Sequence, residues 1–458
     1  MDALSLLLAK GIAVLVSTPP AAGKVRKGLS ADALYELVRN AFGRLPDHRH
    51  EKAAIPLADA IGSALAMFSL KDPSLLAFDA RRNDQNMKTL FGIGQIPSDT
   101  QMREILDPLE PDLLRPVFND VFRQLQRGKA LEPYAFHDGG YLLALDGTGY
   151  FSSNKVHCDS CLEKKNKQTG EVTYQHQMLG AVIVHPDHKE VIPLAPEPIQ
   201  KQDGSSKNDC ERNAAKRLLG KIRQEHPRLK LLVVEHGLAS NAPHIRDLFK
   251  LRMHFILVVK PGDHAFLFDR VIEAFKQDRV TTTSWKEGDV TCEIAFTHKL
   301  PLNESNQDLR INFLQYAEYD ADGRRRKYFT WVTDLRITRG NARHLVRGGR
   351  TRWKIENETF NTLKNQGYQF EHNFGHGSEN LSVVFAMLMM LAFLVDQTQQ
   401  LCCPLFRSVW NKLRTKRALW DNLRSHFRHF TFTSMRHLYE VILHDLAKEL
   451  PAPRLDSS

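Results

Sequence analysis

The 458-residue sequence predicts an α/β protein, a mixed sheet flanked by helices, with a β-rich insertion and helical regions at both ends. Three observations carry this. A wholly apolar run, Tyr141-Leu142-Leu143-Ala144-Leu145, follows about a hundred residues of helical periodicity. Two further strand-like runs come next as a hairpin, and later strands alternate with helices, the texture of a mixed sheet. Within residues 262–330, two stretches (281–285 and 292–297) then alternate with a period near two, and the helical pattern returns beyond 341.

Residues 1–28 are an N-terminal extension. Leu4 to Val16 is apolar apart from Lys10 and Gly11, but the stretch opens on Asp2 and lacks the basic start of a secretory leader. Residues 29–140 are helical. Ser30 caps a helix with apolar positions Leu34, Leu37, Val38 and Phe42, and Leu57, Ile61, Leu65 and Phe68 repeat the signal. Ser98 or Asp99 caps another helix carrying Met102 and Ile105. Short helices between polar turns suit a DNA-binding region, and equally a helical domain with no DNA role.

Residues 141–375 form the core. Tyr141–Leu145 is a buried strand, and the runs 178–185 and 190–194 are two more, joined by Pro186-Asp187-His188. A helix is predicted over 208–225, a strand over 230–235, a helix near 243–251 and a strand over 254–259. Within the insertion, Thr281–Trp285 and Cys292–Thr297 read as strands, and Asn341–Gly367 is helical. Residues 376–458 are mostly helix; the apolar run Val383–Val395 is shorter than the about 20 residues of a membrane span, so a buried helix is expected there and no membrane partner.

Apolar residues make up 42% and charged residues 25%, ordinary for a soluble globular protein. The net charge of +10 fits a polyanion such as DNA. Six cysteines in so long a chain (158, 161, 210, 292, 402 and 403) read as reduced thiols of a cytoplasmic protein, not a disulfide scaffold.

Asp146 closes the first core strand; the plain alternative is a turn acid before Gly147. Arg352 and Glu356 share one helix face, four residues apart. Alone they would be a surface ion pair worth roughly a few tenths of a kcal/mol. Trp353 and Phe360, seven apart, set that helix against a core with its charged stripe bordering a cleft. Acids brought together from distant positions are what phosphoryl transfer on DNA needs, because carboxylates hold the two hard divalent cations, about 4 Å apart, that activate the nucleophile and steady the leaving oxygen.

The segments Leu145–Ser153 and Arg352–Glu358 resemble those of the cut-and-paste DDE transposases of bacterial insertion sequences, over about residues 29–400. The resemblance implies an RNase H-like core with three metal-binding acids, on the first strand, on the fourth strand and on a helix after a β-rich insertion. It implies Asp146 and Glu356 as catalytic ligands of Mg²⁺ or Mn²⁺, and double-stranded DNA, element ends and target, as partner of a homodimer. The family's helix signature is Tyr, two residues, Arg, three residues, Glu, six residues, Lys. Arg352 and Glu356 match, Gly349 stands at the tyrosine, and Lys364 comes one place late. The phosphate-gripping role therefore carries over to Arg352, with Lys364 as a displaced second DNA contact.

His236 stands where the family has its fourth-strand aspartate, in Val234-Glu235-His236-Gly237. An imidazole is a poor ligand for Mg²⁺. Three readings stay open. The copy is catalytically defective; or Glu235 substitutes, should strand alternation relax at the strand end; or His236 serves with a nitrogen-tolerant ion such as Mn²⁺. A transposase-derived DNA-binding protein without catalysis is the alternative of another class.

Cys158 and Cys161 form a CxxC. A zinc site needs four ligands, and Cys210 or His176 would complete this one if the chain folds back; otherwise the pair is two reduced thiols in a loop. Asp209 and Glu211 open a helix, where acids suit the helix dipole. Basic residues at 324–327, and Arg407, Lys412, Arg414, Lys416, Arg417, Arg424 and Arg428, either meet phosphates or form solvated faces.

Overall fold

The computed structural model describes residues 26, 28–49, 53–201 and 210–449. Most of the 1–28 extension, and the helix start expected near Asn208, lie outside the described residues. A single twelve-stranded mixed sheet forms the centre. Its strands are β1 (Ala135–His137), β2 (Gly140–Ser153), β3 (Leu162–Lys165), β4 (Val172–His185), β5 (His188–Pro193), β6 (Glu197–Ile199), β7 (Leu231–Glu235), β8 (His254–Val258), β9 (Thr281–Glu287), β10 (Val290–Pro301), β11 (Arg310–Tyr319) and β12 (Arg325–Thr333). The order is β3-β4-β2-β7-β8-β12-β11-β10-β9, with β1 on β2 and both β5 and β6 on β4.

The apolar run of β2 is buried because it lies mid-sheet, antiparallel to β4 on one side and parallel to β7 on the other. β7 pairs in parallel with β8. This β2–β4–β7–β8 nucleus, with helices Glu211–Glu225 and Ala242–Lys250 in the connections, is the RNase H-like arrangement. Strand β2 is longer than predicted. It does not end at Asp146 but runs to Ser153, because β4 accompanies it to the pair Ser153–Tyr174. The parallel partner does stop there, the last β2–β7 pair being Ala144–Val234. Asp146 thus sits where the sheet opens on one side.

The β-rich insertion is not a separate sheet. It begins with the helix Ala265–Lys276, and its strands β9–β12 continue the core sheet, β12 joining β8 through Trp331–Val258 to Thr333–Ile256. That helix, with Leu267, Val271 and Ala274 buried along one apolar face, occupies the start of the stretch read as β-rich.

Ser30 caps Ala31–Phe42 through the Ala33 amide, and a Ser98–Gln101 capping box opens Asp99–Leu106. Helix Leu57–Leu70 is apolar on nearly every side and lies against the long helix Leu381–Cys402. The Asp107 carboxylate accepts from the amides of Ser378, Glu379, Asn380 and Leu381, fixing the start of that long helix. Asp32 likewise accepts from Met435 and Arg436. The two helical regions, read as separate stretches in the sequence, pack on one another.

Candidate active site

The predicted helix 341–367 is interrupted. Ala342–Arg350 is α-helical, and Ile355–Phe360 is a π-helix carrying Glu356. A π turn holds one extra residue per turn and is found disproportionately at functional sites. The segment comes close to the sheet because Gly180, the partner of Asp146 across β4, has no side chain: a Cβ there would lie 2.8 Å from the Phe360 ring. Phe360 is buried as expected, whereas Trp353 is 44% exposed, contrary to its expected place in a core. It lies in the short helical stretch between the break at Thr351–Arg352 and the π segment, and the π winding that follows no longer lets the seven-residue spacing align the two rings.

Arg352 Nη1 donates to Asp146 Oδ2 at 3.2 Å and to Glu356 Oε1 at 2.5 Å. The two acids, far apart in sequence, meet on one guanidinium nitrogen. On the other side, His236 Nε2 lies 3.7 Å from Asp146 Oδ1 and 3.1 Å from Glu211 Oε2. Ligand atoms of Asp146, Glu211 and His236 all fall within 4.8 Å of one another. Gly147 makes the room, since a Cβ there would be 2.3 Å from Glu211 Oε1.

Burial pushes the Asp146 carboxyl up to about 6, helped by a hydrogen bond with Glu356 and opposed by Arg352 and His236. Burial also raises Glu356, but its bonds to Arg352 and Asp146 outweigh that and hold it below the ordinary range. The bond to Glu211 raises His236, against burial, with the charges of Asp146 and Glu211 adding to the rise. Three carboxylates are thus balanced by one guanidinium and a readily protonated imidazole.

Glu235, weighed as a substitute acid, is not brought to this group. Its Oε2 meets His244 Nε2 at 2.6 Å in the protein interior. Strand alternation holds through the end of β7, because Glu235 is still paired with Leu257 of β8. The carboxylate that reaches His236 is Glu211, for which the sequence offered only the helix-dipole explanation. Lys364 pairs with Glu371 at 2.8 Å and lines a shallow pocket with Gly149, Tyr150 and Ser152, next along β2 from Asp146. At Gly349, the family's tyrosine position, a Cβ would lie 2.7 Å from the Trp331 ring, so the site has no room for a larger side chain.

Cys158 and Cys161 do come together with His176, but Cys210 does not join them. It is exposed and stands at the N-cap position of helix Glu211–Glu225, with no side-chain capping bond. The fourth partner is His376. Of the basic residues read as phosphate contacts, two donate to backbone carbonyls and a third is lowered by partial burial. Arg424 donates to the Leu70 and Lys71 carbonyls, Lys412 to those of Ile442 and Leu443, and Lys416 is buried enough to be lowered to about 8. In the β11–β12 hairpin, Arg326 and Lys327 pair with Asp320 and Glu318.

A mixed sheet with acids from distant elements gathered at the opened edge of its central strand defines a structural class, the RNase H-like fold. Within it, a family model of the transposase DDE domain matches residues 138–394. That is more than half of the chain, and the chain belongs to this family. No curated protein matches the sequence significantly.

Proposed function

We propose that this chain is the transposase of a bacterial insertion sequence, binding double-stranded DNA at the element's ends and carrying out metal-dependent strand cleavage and transfer. The observation that carries the proposal is the meeting of Asp146 and Glu356 on Arg352 Nη1. The donor set fits a divalent ion: carboxylate oxygens suit Mg²⁺ or Mn²⁺, and an imidazole nitrogen beside them favours Mn²⁺. Asp146 and Glu356 would hold it beside Glu211 and His236, and it would supply Lewis acidity to the scissile phosphate. For the second-acid role we assign Glu211 and not Glu235, because Glu211 bonds His236 while Glu235 is held by His244.

The remaining work belongs to the chain's own side chains. Arg352 presents a guanidinium between the two acids, a group suited to bidentate binding of a DNA phosphate. Lys364, further along the same edge, offers a second charge to the backbone. Pairing two ends requires two protomers, so a homodimer on DNA in the bacterial cytoplasm is part of the proposal. The competing reading, a copy that binds ends without cutting, rests on the raised basicity of His236, since a protonated imidazole has no lone pair for a metal.

The test is a cleavage assay on DNA bearing the element's ends. The wild-type chain is expected to cut better with Mn²⁺ than with Mg²⁺, and His236→Asp to shift the preference to Mg²⁺. Asp146→Asn and Glu211→Gln should each reduce cleavage on the order of a hundredfold. End binding with no cleavage under either ion, restored by His236→Asp, identifies a defective copy. Failure to bind the ends overturns the proposal.

A further inference from the structure

A second polar cluster lies away from the acids. Cys158 and Cys161 follow β2, His176 is on β4, and His376 lies between the π-helix and the long helix Leu381–Cys402. The thiols are 3.9 Å apart, His176 Nε2 is 3.5 and 3.4 Å from Cys158 and Cys161 Sγ, and His376 Nε2 is 3.4 Å from Cys161 Sγ. A tetrahedral zinc with bonds of about 2.3 Å to sulfur and about 2.05 Å to nitrogen spaces its ligand atoms about 3.4 to 3.8 Å apart. The observed distances match those edges. Both histidines and Cys161 are buried, and Tyr150 and Phe151 pack their rings against the imidazoles. A dry aromatic wall of this kind keeps water from a structural metal.

Thiol–imidazole hydrogen bonds alone would pair each sulfur with its own nitrogen. Here His176 Nε2 faces both sulfurs and Cys161 Sγ faces both imidazoles, so the four atoms point at one centre. We infer that Cys158, Cys161, His176 and His376 form a structural Cys₂His₂ zinc site, distinct from the acidic site, clamping the loop after the Asp146 strand to the segment after the Glu356 helix. Four protein ligands leave no open position, which assigns the ion to structure and not to catalysis. Because Cys161 and His376 are 215 residues apart, the ion would close a loop spanning most of the core.

The experiment measures metal in the full-length chain, purified without a polyhistidine tag or chelator, by mass spectrometry. About one zinc per chain is expected. It should persist in Cys210→Ser and in Asp146→Asn, and fall to near zero in Cys161→Ser and His376→Ala. If those two variants prove insoluble, the wild-type chain grown in Co²⁺ decides: visible absorption of tetrahedral Co²⁺ with thiolate charge transfer supports the site, and the pale spectrum of six-coordinate Co²⁺ overturns it. Zinc absent from the wild-type chain, with Cys158 and Cys161 titrating as free thiols or joined as a disulfide, overturns it as well. Full retention of zinc in soluble His376→Ala removes the clamp.

Discussion

At Asp146 the fold spends stability on chemistry. Its carboxyl is raised from 3.8 to about 6, so protonation favours the folded chain. That contribution is complete below pH about 4 and is lost as pH rises through about 6. Above pH 6 the ionised group is a net cost, on the order of 1 kcal/mol or more. Asp146→Asn, which keeps the shape and removes the charge, is therefore expected to raise the melting temperature at pH 8 without divalent ions. At pH 4 it should leave it unchanged. Mn²⁺ should then stabilise the wild-type chain and not the variant. A melting temperature at pH 8 that falls on substitution would show that Asp146 is held by its partners and not strained by burial.

Glu235 and Asp146 show which residues short motifs can and cannot reveal, and the difference is made by elements. Asp146, Arg352 and Glu356 were legible because each stands in a compact motif on a strand or helix whose period is plain. The break and π winding before Phe360 were not, since helical periodicity cannot distinguish a four-residue from a five-residue turn over so short a stretch, and Trp353 was misplaced for that reason. Glu211 was hidden by a sufficient local explanation, an acid in a first helical turn, and only the space at Gly147 admits it to the site. His376 carries no spacing signal at all from the CxxC. Strand β7 and helix Ala242–Lys250 are joined by the buried Glu235–His244 pair. Burial alone would lower His244, and the Glu235 charge and hydrogen bond reverse this. Glu235→Gln is expected to cost about 1–3 kcal/mol in chemical denaturation, with cleavage per folded molecule retained. Loss of cleavage at undiminished stability would return Glu235 to the list of catalytic acids.

Across the whole molecule, the N- and C-terminal helices are locked by a buried charge. Lys71 donates to Asp396 and to the Ser69 carbonyl, and its ammonium lies 4.1 Å from the Trp420 ring centre and 4.3 Å from that of Tyr368. Lys71→Met leaves Asp396 buried with Tyr368 as its remaining side-chain partner, an expected loss of about 3–5 kcal/mol. The double variant Lys71→Met/Asp396→Leu should recover most of it, as read by urea unfolding. Equal instability of single and double variants would mean that packing, not charge, makes the lock.

Helix Leu381–Cys402 is long and apolar enough to cross a bilayer by length and composition, yet 94% of its most apolar stretch is buried in the protein. It covers β5 and Leu57–Leu70 alike, and both leave the ribosome well over a hundred residues ahead of it. During synthesis the sheet and the first helices must therefore wait with oily surfaces uncovered until this late helix arrives. A nascent chain stalled before Leu381 is expected to need a chaperone, and a premature stop there to yield aggregate instead of a smaller soluble enzyme.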